Sequence, residues 1–153
     1  MATEIDQYSI KTQNIMNDIF KKIKEKLPLI KINGHSILWF IDDDELTNMF
    51  NAKITELVLN VQIKTFLDAK NAVEELEKSN IQPNVIFLDL NMPGISGFDF
   101  LEIMEEKNFD IPVVILSSSI QKSDIDKSLT YKNVVTYLTK PLKRDTLMML
   151  SNE

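Results

Sequence analysis

A chain of 153 residues without cysteine has room for one domain with a core of its own, not for two ordinary ones, and disulfide frameworks and thiolate metal sites are excluded. Its formal net charge of −6 is uneven: residues 1–35 carry four acids and six lysines, leaving nineteen acids against eleven bases in the rest, and such an acidic body argues against nucleic-acid phosphates as its partner. No apolar stretch reaches membrane-spanning length and the N-terminus lacks a signal-peptide pattern, so a cytoplasmic protein without membrane attachment is expected.

Residues 4–27 begin the chain as an amphipathic helix, with Ile5, Tyr8, Ile15, Met16, Ile19, Phe20, Ile23 and Leu27 in one stripe at a 3.6-residue period. Lys21, Lys22, Lys24, Lys26 and Lys31 read as a solvated helix face, since acids and apolar residues are interleaved with them. Pro28 ends the helix, and Asn33-Gly34 signals a turn. Strands at 36–41, 61–66, 84–89, 112–116 and 134–138 then alternate with helices at 45–59, 69–79, 97–106, 122–130 and 144–151. Asp44 and Asp68 are natural helix caps, and Ser123 or Gln121 starts the helix that contains Ile125. Runs such as Val85 to Leu88 and Val113 to Leu116 are continuously apolar, as expected of strands covered by helices on both faces. The fold class is therefore α/β, a doubly wound five-stranded parallel sheet with an extra N-terminal amphipathic helix. Trp39 and Phe40 read as core or sheet-surface residues, and the lone His35 has no metal-ligand companions.

In a parallel sheet with right-handed crossovers, the residues just past each strand gather at one edge. Those positions hold Asp42 and Asp43 after the first strand, Asp89 after the third, Ser117 after the fourth and Lys140 after the fifth. Clustered carboxylates repel unless a cation or a shared proton relieves them. A hard divalent ion suits oxygen ligands, and Mg2+ is the natural choice because it accepts few carboxylates and keeps several waters. The lysine makes sense if a second anion arrives, most simply a phosphoryl group, towards which a carboxylate can act as nucleophile to give an acyl phosphate.

Four segments, Phe40-Ile41-Asp42-Asp43-Asp44, Phe87 to Gly97 through Asp89-Leu90-Asn91-Met92-Pro93-Gly94, Val114-Ile115-Leu116-Ser117-Ser118 and Tyr137-Leu138-Thr139-Lys140-Pro141, together resemble the receiver domain of two-component response regulators. The resemblance covers 36 to about 150 and divides the chain into an N-terminal helical extension and linker, 1–35, and a receiver domain, 36–153. It implies a flavodoxin-like strand order 2-1-3-4-5. It also implies that Asp89 takes a phosphoryl group from a sensor histidine kinase or histidine phosphotransfer protein, switching a surface read by a downstream protein target. Asp43 and Asp89 would bind Mg2+ with the backbone carbonyl of Asn91, and Asp42 partly through water. Lys140 would pair with the phosphoryl group, Ser117 would hydrogen-bond it in place of the family's common threonine, and Tyr137 would report the movement. Lys140–Pro141 matches a cis peptide, and the side chains of Asn91 and Ser119 stand where relatives tune the lifetime of the phosphate.

Plainer readings stand beside these: Asp42 and Asp43 as helix caps, Ser117 as a loop serine, Lys140 as a solvent-facing lysine, Tyr137 as a packed strand aromatic. The last helix is short, and no segment after it is long enough for an output domain, which favours a stand-alone regulator that is not itself an enzyme. The N-terminal helix has three readings, packing on the domain, forming a homodimer or docking a partner, of which packing is favoured. An aspartate-nucleophile phosphatase needs a second acid two residues after the nucleophile, where this chain has Asn91. A degenerate, phosphate-independent receiver usually loses the acids or lysine that are present here.

Overall fold

A computed structural model describes residues 3–151, without the side chains of Ile5, Tyr8, Thr12, Ile15 and Met16. Four members of the expected N-terminal stripe, Ile5, Tyr8, Ile15 and Met16, thus lie outside the described side chains. The elements in chain order are α1 (Glu4–Lys26), a 3-10 turn (Leu27–Leu29), β1 (Ile37–Ile41), α2 (Glu45–Val58), β2 (Gln62–Phe66), α3 (Ala69–Lys78), β3 (Val85–Leu88), α4 (Gly97–Glu106), β4 (Val113–Ser117), α5 (Lys122–Ser128), β5 (Val134–Thr139) and α6 (Arg144–Leu150). All five strands are parallel, in the order β2-β1-β3-β4-β5.

Alternation explains why the central strands are apolar throughout. Trp39, Ile41, Ile86, Leu88, Val113 and Ile115 point to a core shared with α3, α4 and α5. Leu38, Phe40, Val85, Phe87, Val114 and Leu116 point to the opposite core, shared with α2 and α6. Phe40 and Phe87 stack in that second core with ring centroids 4.6 Å apart. β2, an edge strand, keeps Gln62, Lys64 and Thr65 exposed.

Local chemistry starts most helices where the residues direct. Asp44 and Asp68 accept hydrogen bonds from the N–H groups of Thr47 and Asn71, and Ser96 with Asp99 forms a reciprocal capping box. At α5 the structure decides between the two expected starts in favour of Gln121. Gln121 precedes the helix without a side-chain bond and Ser123 lies inside it; the organising hydroxyl is that of Ser119, which accepts from the Gln121 N–H and donates to Asp124.

α1 runs against β5, the other edge strand. Ile19 and Ile23 pack on the α3–α4–α5 side and Leu27 on the α2–α6 side, so the helix joins both layers around that edge. Two members of the expected sequence pattern are corrected. Phe20 is 62% exposed; among the described residues of the stripe it is Ile19, Ile23 and Leu27 that pack on the cores. Lys26 is not a solvated face lysine: its Nζ donates to the carbonyl of Tyr131 (3.1 Å) and to that of Val134 (2.8 Å) on the edge strand β5. Burial pulls the Lys26 ammonium below its ordinary pKa, and nearby Lys22 adds to this. No helix among the described residues is long and apolar enough to cross a membrane.

Candidate functional site

Sheet register assembles the site. Ile41 pairs with Leu88, and the Asp89 N–H donates to the Ile41 carbonyl at 2.9 Å, so the residues that follow β1 and β3 meet at one level. Ser117 pairs with Thr139, and the Lys140 N–H donates to the Ser117 carbonyl at 2.9 Å. An irregularity at Val113/Val114 advances β5 by one residue. Without it, Lys140 would stand one position further from Ser117.

Asp42, Asp43 and Asp89 bring one carboxylate oxygen each to within 4.8 Å of one another, with Asp42 and Asp89 buried and Asp43 exposed. Lys140 sits between the buried pair, its Nζ 2.5 Å from Asp42 and 3.4 Å from Asp89. The resemblance assigns that ammonium to a phosphoryl group; here it neutralises the two carboxylates. Asp42 also accepts from the Asp44 N–H at 2.9 Å.

Burial pushes the Asp89 carboxyl above its ordinary pKa. Lys140 opposes that rise, Asp42 adds to it, and a hydrogen bond from the Asn91 backbone N–H favours the ionised form. Burial alone would lower the Lys140 ammonium, but its hydrogen bond to Asp42 and the charges of Asp89 and Asp42 outweigh that and raise it. The turn after β3 is held close to α4: a Cβ added at Gly97 would meet the Asp89 carbonyl oxygen at 2.4 Å and the Leu90 Cα at 2.6 Å. Only glycine lets the helix start this near the acidic tip. Gly94, at φ +73°, makes the turn itself.

Ser117 is fully buried, and its Oγ accepts from the Ser119 N–H at 3.1 Å. The Ser119 carbonyl in turn accepts from the Tyr137 hydroxyl at 2.8 Å. Tyr137 is therefore tied to the loop that carries Ser117, and Ser119 spends its own hydroxyl on Asp124 at 2.6 Å. Asn91 is exposed, and the Lys140–Pro141 peptide is cis.

Sequence reasoning missed two features beside the site, both on α2. Its buried residues are Asn48, Asn51 and Thr55, whereas Leu46, Met49 and Phe50 are 76%, 60% and 52% exposed. The visible signal was polar residues recurring at helical spacing, the inverse of the usual apolar stripe.

The response regulator receiver domain model matches residues 38–151. Among curated proteins, the chain is similar to a protein-glutamate methylesterase/protein-glutamine glutaminase of Treponema denticola, at 31% identity over 103 residues, covering 66% of this chain and 27% of that protein. It is 30% identical over 105 residues to the putative two-component response regulator ARR19 of Arabidopsis thaliana, covering 69% of this chain and 25% of that protein. The nitrate/nitrite response regulator protein homolog of Haemophilus influenzae is 33% identical over 109 residues, covering 71% and 51%. The chain thus spans about a quarter to a half of the length of these relatives. Among solved structures, a two component response regulator from Cytophaga hutchinsonii has a TM-score of 0.70 at 27% identity, over 78% of this chain and 95% of that one. A match that runs from β1 through α6, on a sheet of this strand order, is decisive at the level of family: the chain belongs to the receiver domains of two-component response regulators.

Proposed function

We propose that Asp89 accepts a phosphoryl group from a phosphohistidine of a sensor histidine kinase or phosphotransfer protein, with Mg2+ held by the neighbouring acids, and that the acyl phosphate switches a surface read by another protein. The observation that carries this reading is three carboxylates and one lysine converging at a single sheet edge. Carboxylate oxygens alone, without nitrogen or sulfur ligands, are the donor set of a hard divalent cation. Asp43 and Asp89 would hold it with the Asn91 carbonyl, and Asp42 from behind. When bound, the cation supplies charge neutralisation at the carboxylates and at the phosphoryl oxygens.

Catalysis then rests on positioning. An Asp89 oxygen attacks phosphorus in line, the new O–P bond forms as the P–N bond breaks, and the imidazole leaves with the electron pair and takes up a proton. Burial makes Asp89 the more basic nucleophile. Lys140, already within reach of the Asp89 carboxylate, turns to the incoming phosphoryl oxygens, and the Ser117 hydroxyl donates to one of them.

A shift of Ser117 is passed to Tyr137 through the Ser119 backbone. Tyr137 lines a cavity of about 470 Å3 with Ile19, Phe20 and Ile23 of α1, Ile125 of α5 and Leu142. That groove is the surface phosphorylation would remodel, with α1 as its first neighbour. Exposed Leu46 and Phe50 rim a second cavity that reaches Lys140, and with exposed Met49 on the same helix they offer the phosphodonor protein an apolar foothold beside the acceptor.

Intact-mass measurement after incubation with acetyl phosphate tests the reading. A single phosphoryl adduct is expected for wild type with Mg2+, and none with chelator or in Asp89→Asn. Absence of the adduct from wild type with every small donor overturns it.

A further inference from the structure

The structure assigns Asn48 as the positioning residue for the acidic loop, which deepens the reading of Asp42, Asp43 and Asp89 as a cation site and rests on it. Asn48 lies one turn into α2 and is 2% exposed. Its Nδ2 donates to the Asp42 carbonyl and to the Phe66 carbonyl, both at 2.9 Å. The Phe66 carbonyl also accepts from the Asp42 N–H at 3.1 Å. Both backbone groups of Asp42 are therefore pinned, the N–H by Phe66 and the carbonyl by Asn48, and Asn48 and Asp42 share the acceptor at the tip of β2. The Asp42 carbonyl belongs to the peptide plane that leads into Asp43. Fixing that plane sets how Asp43 is presented relative to Asp42, and so the spacing of two of the three carboxylates.

Chemistry fixes the amide orientation. Both neighbours are acceptors, so the NH2 must face them, and Oδ1 is left buried without a partner. An unpaired interior oxygen is a cost that a leucine would avoid. Asparagine is justified there by its two donated bonds, and a leucine would instead orphan the Asp42 carbonyl.

Calorimetric Mg2+ titration of the full chain, alongside thermal unfolding without metal, tests this. Asn48→Leu fills a similar volume without donors; Asn48→Ser is the milder variant, since one short hydroxyl cannot span two carbonyls. Thr55→Val, which removes a buried hydroxyl bonded to the Asn51 carbonyl on the same helix at 2.7 Å, controls for general loss of stability. Asn48→Leu is expected to weaken Mg2+ binding by about ten-fold or more, Asn48→Ser by less, and Thr55→Val not at all. The assignment is overturned if both Asn48 variants, or Asn48→Ser alone where Asn48→Leu does not fold, bind Mg2+ as wild type does. It is equally overturned if Thr55→Val loses as much affinity. Wild type that folds but binds no Mg2+ would instead remove the cation site itself, and this assignment with it.

Discussion

Burial raises the Asp89 carboxyl above its ordinary value while Lys140 pulls the other way without cancelling it. The unfolded chain therefore gives up this proton at lower pH than the folded one, and between the two values the folded state binds more protons. Stability from Asp89 is full below the ordinary carboxylate range and falls as pH rises through the folded pKa, so keeping this carboxyl buried costs stability as the pH rises out of the acid range. Asp89→Asn should unfold at higher temperature than wild type at pH 7 in chelator, and the gain should shrink on acidification. A less stable variant at pH 7 would show that Lys140, not burial, decides. Lys140 has the opposite charge and a pKa raised above 10.5, so its contribution is complete below that value and lost only in strong alkali. Lys140→Met leaves two buried carboxylates facing each other and should cost about 3 kcal/mol in urea unfolding at pH 7 without metal. Asp42, Asp43, Asp89, Ser117 and Lys140 were legible in the sequence because each stands at the end of a strand-length segment, and in a parallel sheet those ends share one edge. Asn48 was not: its role depends on two carbonyls contributed by other elements.

At the scale of elements, α2 and α1 carry what periodicity could not decide. An apolar stripe announces a buried face only when the helix turns it inward. α2 instead turns Asn48, Asn51 and Thr55 inward, Asn48 bonding the carbonyls of Asp42 and Phe66, and leaves Leu46, Met49 and Phe50 outside. Replacing those three with serine should change stability by no more than about 0.5 kcal/mol each. Phosphoryl transfer from a protein donor should slow, while acetyl phosphate continues to react. Equal slowing with both donors would mean the patch acts on the site and not on docking. For α1, the contact at the β5 edge runs through Ile19, Ile23, Leu27 and Lys26, with Phe20 mostly outside. Ile23→Asp should cost about 2 kcal/mol in denaturant unfolding, and Phe20→Asp much less. If the two variants lose equally, α1 does not sit as described. The helix itself was plain from its period; its seat was not, because edge coverage is a property of the assembled sheet.

For the whole molecule, alternating apolar runs and short connections dictate layers and handedness, which is why the doubly wound sheet could be read before any coordinates. Strand order came only through resemblance, since nothing local in β2 says that it lies beside β1. Register likewise lay beyond the sequence: the one-residue irregularity between β4 and β5 that brings Lys140 level with Ser117 leaves no mark on the apolar pattern. All of this converges on a single atom pair, an Asp89 carboxylate oxygen and the phosphorus it would capture. Borohydride reduction of protein treated with acetyl phosphate and Mg2+, followed by peptide sequencing in a mass spectrometer, tests that pair directly, because reduction converts an aspartyl phosphate to homoserine. Homoserine at position 89 alone is predicted; homoserine at Asp42 or Asp43 with Asp89 unchanged would contradict the account.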